Sequence, residues 1–338
     1  MRVAVLKESA PGERRVALAP EHVARLVRDG HQVRVERGAG ASAGLTDEAY
    51  ASAGARLGTD LETLEGVEVL STVQRPVPEL AERLPPGSLL IGLLQPERSR
   101  PELERLAARG VEALAMERVP RTSRAQAMDA LSSQASLAGY KAVLLGAVAL
   151  PRVLPMMTTA AGTLAPARVF VIGAGVAGLQ ALATARRLGA ITTAFDVRPE
   201  VREQVQSVGA GFAEVADALR TADLVICTAA VPGRPAPRLL DAAAVATMRP
   251  GSVIVDVAAE TGGNCELTRP GETVEAHGVT ILGPLLLAAT LPFHASQQYG
   301  RNLLALLQHL APVGGAPRLD PADEITGPML LVHEGKVR

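Results

Sequence analysis

Residues 168–178 read RVFVIGAGVAG. An apolar, β-branched run, Arg168–Ile172, meets three glycines, Gly173, Gly175 and Gly178, and a helix-forming run, Ala177–Leu188, follows. In a strand–turn–helix of this kind the first glycine permits the tight turn, the second lets a ligand approach the backbone, and the third lets helix and strand pack closely. The helix then opens with unpaired N–H groups and the positive end of its dipole, which suits a pyrophosphate. A glycine turn alone can also serve only to pack a helix on a strand. Asp196 supplies the second feature: it ends the next strand, Ile191–Asp196, 21 residues beyond Gly175, where a carboxylate can accept from both ribose hydroxyls. A fixed carboxylate repels a 2′-phosphate, so Asp196 favours NAD over NADP; Arg198, two residues on, pulls the other way.

Outward from this unit the chain alternates strands and helices. Strands are expected at Val3–Leu6, Gln32–Glu36, Val67–Val73, Leu89–Leu94 and Val111–Ala115, with helices at Pro20–Arg28 and Pro101–Ala108. A second block begins after the Pro and Gly cluster Leu150–Pro166, with further strands at Leu224–Thr228, Ser252–Val257 and Val279–Leu282 and helices at Pro199–Ser207 and Leu239–Met248. Short β-branched runs between amphipathic helices argue for parallel sheets covered on both faces. The fold class is therefore α/β, with two doubly wound domains, the second a Rossmann dinucleotide-binding domain, joined by long helices. Helix-forming stretches Ser123–Leu150 and Ala295–Leu310 supply the two crossings, which return the C-terminus to the first domain and leave a cleft at the junction. The expected division is residues 1–130 plus 306–338, a flavodoxin-like domain completed by the C-terminal tail, and residues 131–305.

Composition removes several functions. Apolar residues make up 48% of the 338, enough for packed cores in two domains. The 34 basic and 35 acidic residues leave a net charge of −1, and there is no Trp, so neither the basic excess nor the aromatic platforms of a nucleic-acid binder are present. Cys227 and Cys265 lack a CxxC spacing, which argues against a disulfide framework or a zinc site and for a reducing compartment; the six histidines show no metal-ligand spacing. The start MRVAVLKES has no apolar signal segment, and the longest apolar run, Ala142–Leu150, falls short of the ~20 residues that span a bilayer.

A polar segment precedes the first crossing: Gln126, Asp129 and Ser132 are spaced i, i+3, i+6, as on one helix face, with Arg121 just upstream. Donors and acceptors together suit a nicotinamide carboxamide. The same residues admit a structural reading, with Ser123 and Gln126 as a capping box and Arg121 paired with Asp129.

The stretches RTSRAQAMDALSSQASLAGYKAV, MMTTAAGTLAPARVFVIGAGVAGLQA, VPGRPAP and GGNCELT resemble the NAD(H)-binding alpha subunits (domain I) of proton-translocating nicotinamide nucleotide transhydrogenases, in the alanine dehydrogenase/transhydrogenase family. The likeness runs from ERRVAL near the N-terminus to about Leu310. It implies a homodimer that binds NAD(H), with NADP(H) on a partner chain and membrane-spanning subunits that couple the reaction to proton translocation. The chain itself would be cytoplasmic, peripheral at the inner face of the membrane through those subunits. Nicotinamide contacts fall by this resemblance on Arg121, Gln126, Asp129 and Ser132, and nucleotide contacts on Val176, Asp196, Val197, Arg198 and Ala230. Gly262, Gly263 and Asn264 of the GGNCELT stretch join the glycine turn as cofactor-binding positions.

Alanine dehydrogenase resembles the chain in the ERRVAL, VPGRPAP and DVAAETGG segments and matches it at Arg15, but its lysine and histidine stand here as Gln74 and Gln95. An amino-acid dehydrogenase needs a cation for the substrate carboxylate and groups that move protons at the amine. Hydride transfer between two nicotinamides moves no proton at the reacting carbons. The transhydrogenase reading therefore leads, with an amino-acid dehydrogenase and a catalytically silent NAD-binding protein as rivals. The silent reading rests on residues 208–223, GAGFAEVADALRTAD and its flank, which are much shorter than the mobile loop the resemblance implies there.

Overall fold

The computed structural model describes residues 1–338 apart from Pro232, which lies in the VPGRPAP stretch, and Pro312. The chain runs through strands β1 (Arg2–Val5), β2 (Gln32–Glu36), β3 (Arg56–Gly58), β4 (Val69–Gln74), β5 (Leu89–Leu93) and β6 (Glu112–Ala115), with helices α1 (Pro20–Arg28) and α2 (Arg100–Ala108) among them. Helix α3 (Ala130–Ala149) leads to strands β7 (Met157–Thr159), β8 (Gly162–Leu164) and β9 (Arg168–Ile172), then α4 (Val176–Arg187). There follow β10 (Ile191–Phe195), β11 (Gly211–Phe212), β12 (Leu224–Cys227), β13 (Val253–Asp256), β14 (Thr273–Ala276) and β15 (Val279–Leu282). Helix α5 (Pro292–Leu310) and strands β16 (Leu330–His333) and β17 (Lys336–Val337) complete the chain.

Two compact units result: residues 1–134 with 289–338, and residues 135–288. The chain returns to the first unit at Ala289, before the expected residue 306, because the whole of α5 belongs there. Its residues Tyr299, Leu303, Leu306, Leu307 and Leu310 recur at helical spacing and are buried in one core with Val3, Val5 and Val33. The other boundary falls at Gln134, inside α3, rather than at 130.

The sheet of the first unit has the order β17-β16-β6-β5-β4-β1-β2-β3, with β1 to β6 parallel and β16 and β17 antiparallel at one edge. Alternate residues of β1 enter different cores, Val3 and Val5 on one face, Ala4 on the other, as a sheet covered on both sides requires. The second unit has the order β11-β10-β9-β12-β13-β15-β14, parallel except for β14. Strand order reverses beside β1 in the first sheet and beside β9 in the second, and ligands of doubly wound sheets bind at the carboxyl ends of strands at such reversals.

The Leu150–Pro166 cluster contains the exposed antiparallel hairpin β7–β8. The Leu239–Met248 helix shrinks to Ala242–Ala246, because the Asp241 carboxylate accepts from the Ala244 amide and starts the helix there. His333 ends β16 and meets Glu112 at 3.0 Å. Among the described residues no helix is long and apolar enough to cross a membrane.

Candidate functional site

The glycine turn of the second unit has the three properties its sequence asks for. Gly173 lies at φ +95°, which side chains disfavour, and Gly178 packs so closely that a Cβ there would overlap the Gly173 carbonyl oxygen. A Cβ on Gly175 would meet nothing within 4 Å, so open space faces the backbone where a pyrophosphate would approach. No side chain caps the helix α4 that starts at the half-exposed Val176, leaving its first amides for an anion. This combination fits a dinucleotide.

Asp196 stands just past β10, and its carboxylate binds this turn. Oδ2 accepts from the Ala174 amide at 2.7 Å and from the Arg198 guanidinium at 3.1 Å, while Oδ1 accepts from the Arg198 amide at 2.9 Å and Nε at 3.1 Å. Burial alone would raise its pKa; the hydrogen bonds from Arg198 and Ala174 hold it below the ordinary carboxylate value. Arg198 thus lies on Asp196 and neutralises it, and Val197 between them is exposed. A ribose can take the Asp196 oxygens only by displacing that guanidinium.

Two further loops are laced to the turn. Thr228 Oγ1 donates to the Gly173 carbonyl at 2.7 Å. Next along the chain, Ala229 is clasped by Asn264, whose Oδ1 accepts from its amide at 3.0 Å and whose Nδ2 donates to its carbonyl and to that of Pro237, both at 2.8 Å. Asn264 is fully buried, so its side chain holds protein backbone, whereas Ala230 and Gly262 are exposed beside it. Asp256 organises the second loop: its buried carboxylate accepts from the amides of Ala258 and Cys265 and from Thr268 Oγ1, and a Cβ on Gly263 would come within 2.7 Å of it. Burial outweighs these bonds and raises its pKa. Asp256 went unremarked in the sequence, where its signal is a lone acid after the apolar run VIV.

In the first unit the polar segment is not the single helix face expected. Gln126 lies in a 3-10 turn, Gln126–Met128, and α3 begins at Ala130. Asp129 caps α3: its Oδ1 accepts from the Ser132 amide at 2.9 Å and its Oδ2 from Ser132 Oγ at 2.6 Å. The structure therefore joins Asp129 to Ser132 directly and leaves Arg121 and Gln126 exposed on the preceding turn. Ser123 sits in a turn outside any helix, so the Ser123–Gln126 capping box does not form, and no ion pair joins Arg121 to Asp129 among the described residues.

The carboxyl ends of β4, β1 and β5 gather the remaining charges. Arg15 is buried at 4% exposure; its NH2 meets Glu13 Oε2 at 2.6 Å, its Nε donates to Glu13 Oε1 at 2.8 Å, and its NH1 donates to Gln134 Oε1 at 2.8 Å. Gln74 is also buried and donates to Glu13 Oε2 at 3.0 Å, so it is no ordinary surface residue. Burial acts to raise the Glu13 pKa, but the Arg15 bonds and charge bring it below the ordinary value. Glu8 accepts from the amides of Val73 and Gln74, and Glu117 from those of Leu94 and Gln95, at 2.6 and 3.1 Å and at 3.2 and 2.5 Å. Burial, only partly offset by those amides, pushes Glu8 up to about 7, and burial also raises Glu117. Two carboxylates thus present Gln74 and Gln95 on adjacent strand ends, with Gln95 at φ +50°.

Known proteins share this architecture. The first segment of the NAD(P) transhydrogenase alpha subunit of Rhodospirillum rubrum is 44% identical over 343 residues, covering 91% of this chain and 89% of that one. The crystal structure of transhydrogenase from Sinorhizobium meliloti superposes with a TM-score of 0.95 at 43% identity over the full length of both chains. An L-alanine dehydrogenase structure superposes with a TM-score of 0.88 at 29% identity, covering 100% of this chain and 96% of that one. The family models described as the N-terminal and C-terminal domains of alanine dehydrogenase/PNT match residues 4–138 and 142–338, and the chain belongs to that family.

Proposed function

We propose that this chain is the NAD(H)-binding component of an NAD(P) transhydrogenase and exchanges hydride with NADP(H) held by a partner chain. The observation that carries the choice is the state of Arg15. Its Nε and NH2 are held by Glu13 and its NH1 by Gln134, and Gln74 and Gln95 cannot exchange protons, so these strand ends present a neutralised arginine and two amides where an amino-acid dehydrogenase needs a cation and a proton-exchanging pair. Amides in place of a lysine and a histidine suit a reaction between two nicotinamides, which needs positioning and no proton exchange at the reacting carbons. The names and likeness of the relatives support the same reading.

In this reading the backbone at Gly173, Gly175 and Val176 and the uncapped start of α4 take the pyrophosphate. Asp196, Val197, Arg198 and Ala230 meet the adenosine portion, and the loop of Gly262, Gly263 and Asn264 borders the same strand ends. Arg121, Gln126, Asp129 and Ser132 orient the carboxamide. NAD(H), when bound, supplies or accepts the hydride; the chain's own residues bind, orient and exclude water. Membrane-spanning partners would couple the reaction to proton translocation and hold the chain at the cytoplasmic face. The hairpin β7–β8 displays Met157 and Leu164, beside Met156, to solvent, and we assign these apolar side chains to the contact of a homodimer.

The test is reconstitution: the chain is added to membranes carrying the NADP(H)-binding and membrane-spanning subunits, and reduction of a NADP analogue by NADH is followed. Stimulation well above either component alone is expected. Turnover of pyruvate, ammonia and NADH by the isolated chain would establish the amino-acid dehydrogenase instead. NADH binding without stimulation would establish the silent protein that the short 208–223 segment favours.

A further inference from the structure

Helix α5 carries one polar side chain whose two ends are both committed. Asn302 is 7% exposed; its Nδ2 donates to the Ala127 carbonyl at 2.8 Å, and its Oδ1 accepts from Ser133 Oγ at 2.7 Å. The amide orientation is fixed by the Ala127 carbonyl, which can only accept, so Nδ2 faces it and Oδ1 is left to the Ser133 hydroxyl. Ala127 lies between Gln126 and Asp129, and Ser133 directly follows Ser132. One side chain therefore ties both ends of the segment that holds Asp129 and Ser132, and its first tie is to the neighbour of Gln126.

The helix behind this bracket is fixed independently. Tyr299 donates its hydroxyl to the Thr72 carbonyl at 2.7 Å, Ser296 Oγ accepts from the Val16 amide at 2.9 Å, and Gly300 admits His22 so closely that a Cβ there would overlap the imidazole at Nδ1. Gln134 adds a second tie, donating to the Ala295 carbonyl at 3.1 Å while Arg15 holds its oxygen. With rotation and height of α5 set by these contacts and by its leucine stripe, Asn302 acts as a fixed peg and the 126–133 segment adapts to it.

We infer that Asn302 is a positioning residue for hydride transfer, setting the spacing of Gln126 and the Asp129–Ser132 pair through the Ala127 carbonyl and the Ser133 hydroxyl. This rests on the transhydrogenase reading above. Misplacement of a positioned group by about 1 Å costs up to roughly a hundredfold in rate while leaving binding largely intact.

The experiment compares wild type with Asn302→Ala, Asn302→Asp and Ser133→Ala in the full chain. Three quantities are measured: amide hydrogen exchange over residues 126–134 without nucleotide, NADH affinity by fluorescence, and the hydride-transfer rate with partner subunits added. Asn302→Ala should speed exchange in that segment and slow transfer roughly ten- to hundredfold, with affinity changed by less than about threefold. Ser133→Ala should do the same more weakly, and the double variant should be no worse than Asn302→Ala alone, as for members of one network. Asn302→Asp supplies the conservative rescue. When protonated, its acid group can still donate to Ala127 and accept from Ser133, so transfer relative to wild type at the same pH should be restored at low pH and fall as the buried acid ionises, a ratio in which titrations shared with wild type, such as that of Glu8, cancel. Wild-type transfer by Asn302→Ala, a parallel loss of affinity and rate, or a flat pH profile of that ratio for Asn302→Asp would each overturn the inference. An inactive wild type with partners present refutes the transhydrogenase reading and, with it, the inference about hydride transfer; the exchange data would then still decide whether Asn302 holds the segment.

Discussion

Replacing Glu8 by Gln should remove a pH dependence of stability that the sequence gives no hint of. The Glu8 carboxylate accepts from the Val73 and Gln74 amides, yet burial lifts it from the ordinary 4.5 to about 7. An acid whose folded value is raised binds its proton more tightly in the folded chain. Its contribution to stability is full below about pH 4.5, falls as pH rises, and is lost above about 7. At 1.36 kcal/mol per pH unit, and discounted because the residue keeps some solvent contact, the loss across that window is about 2–3 kcal/mol. The amide of the variant cannot ionise, though its NH2 would oppose one of the two backbone N–H groups and cost about 1 kcal/mol at every pH. Urea unfolding of wild type and Glu8→Gln between pH 4.5 and 8, followed by tyrosine emission, should give curves that converge and then cross as pH rises, because Tyr50 and Tyr299 report on the first unit. Parallel curves, separated by a constant amount, would refute the burial argument.

Other outcomes follow from the same structure. Asp196→Ala should weaken NAD(H) binding by roughly 10–100-fold, the worth of charge-assisted hydrogen bonds, and relax discrimination against NADP(H); fluorescence titration with both nucleotides measures it, and unchanged selectivity would remove Asp196 from the ribose. Arg198→Ala should instead sharpen discrimination, since it leaves the Asp196 charge without its guanidinium; easier NADP(H) binding would contradict that. Asp129→Ala removes the cap of α3 and should cost about 1 kcal/mol of stability, yet slow hydride transfer well beyond what unfolding explains. A loss of stability alone would leave Asp129 with a capping role only. Leu306→Ala, in the core stripe of α5, should destabilise by about 2–5 kcal/mol in thermal unfolding without changing nucleotide preference.

What could be read from the residues follows from how locally each feature is encoded. Strand β9 falls on the residues expected because a parallel strand buried on both faces is a continuous apolar run, and β2 and β15 because their buried and less buried residues alternate between turn residues. Hairpin β7–β8 lacks that signature: all six of its residues are exposed, and nothing alternates. At Gln126, Asp129 and Ser132 the spacing suggested one face, but an aspartate just before a helical run is a better cap than an interior residue. The pattern Asp129-x-x-Ser132 therefore starts the helix and breaks the count from Gln126. Asp196 was legible as a strand-end acid, whereas the guanidinium on top of it was not, because a strand end leaves the path of the next two residues open. Asn302 was beyond reach: its partners lie 169 and 175 positions away, and only the return of α5 to the first unit brings them together.

The same long-range folding decides what Arg15 can do. An arginine in ERRVAL suggests a clamp for a small carboxylate, and the charge is indeed present. Yet the side chains of Arg15 and Glu13 are 4% and 0% exposed, and each is the other's counter-ion. For a keto acid to take the guanidinium, Glu13 must give it up and remain buried without a cation, since Gln74 offers only an amide hydrogen. Stranding one partner of a buried pair costs about 3–5 kcal/mol. A metabolite held at about 1 mM gains only about 4 kcal/mol from all its contacts. The two nearly cancel, so a carboxylate should find no measurable affinity at Arg15 while Glu13 is in place. The cation serves the fold instead, tying Gln134 and the first turn of α3 to the strand ends, and Glu13→Gln should be the change that frees it: pyruvate or oxamate binding should emerge in that variant and in no variant of Gln74 alone.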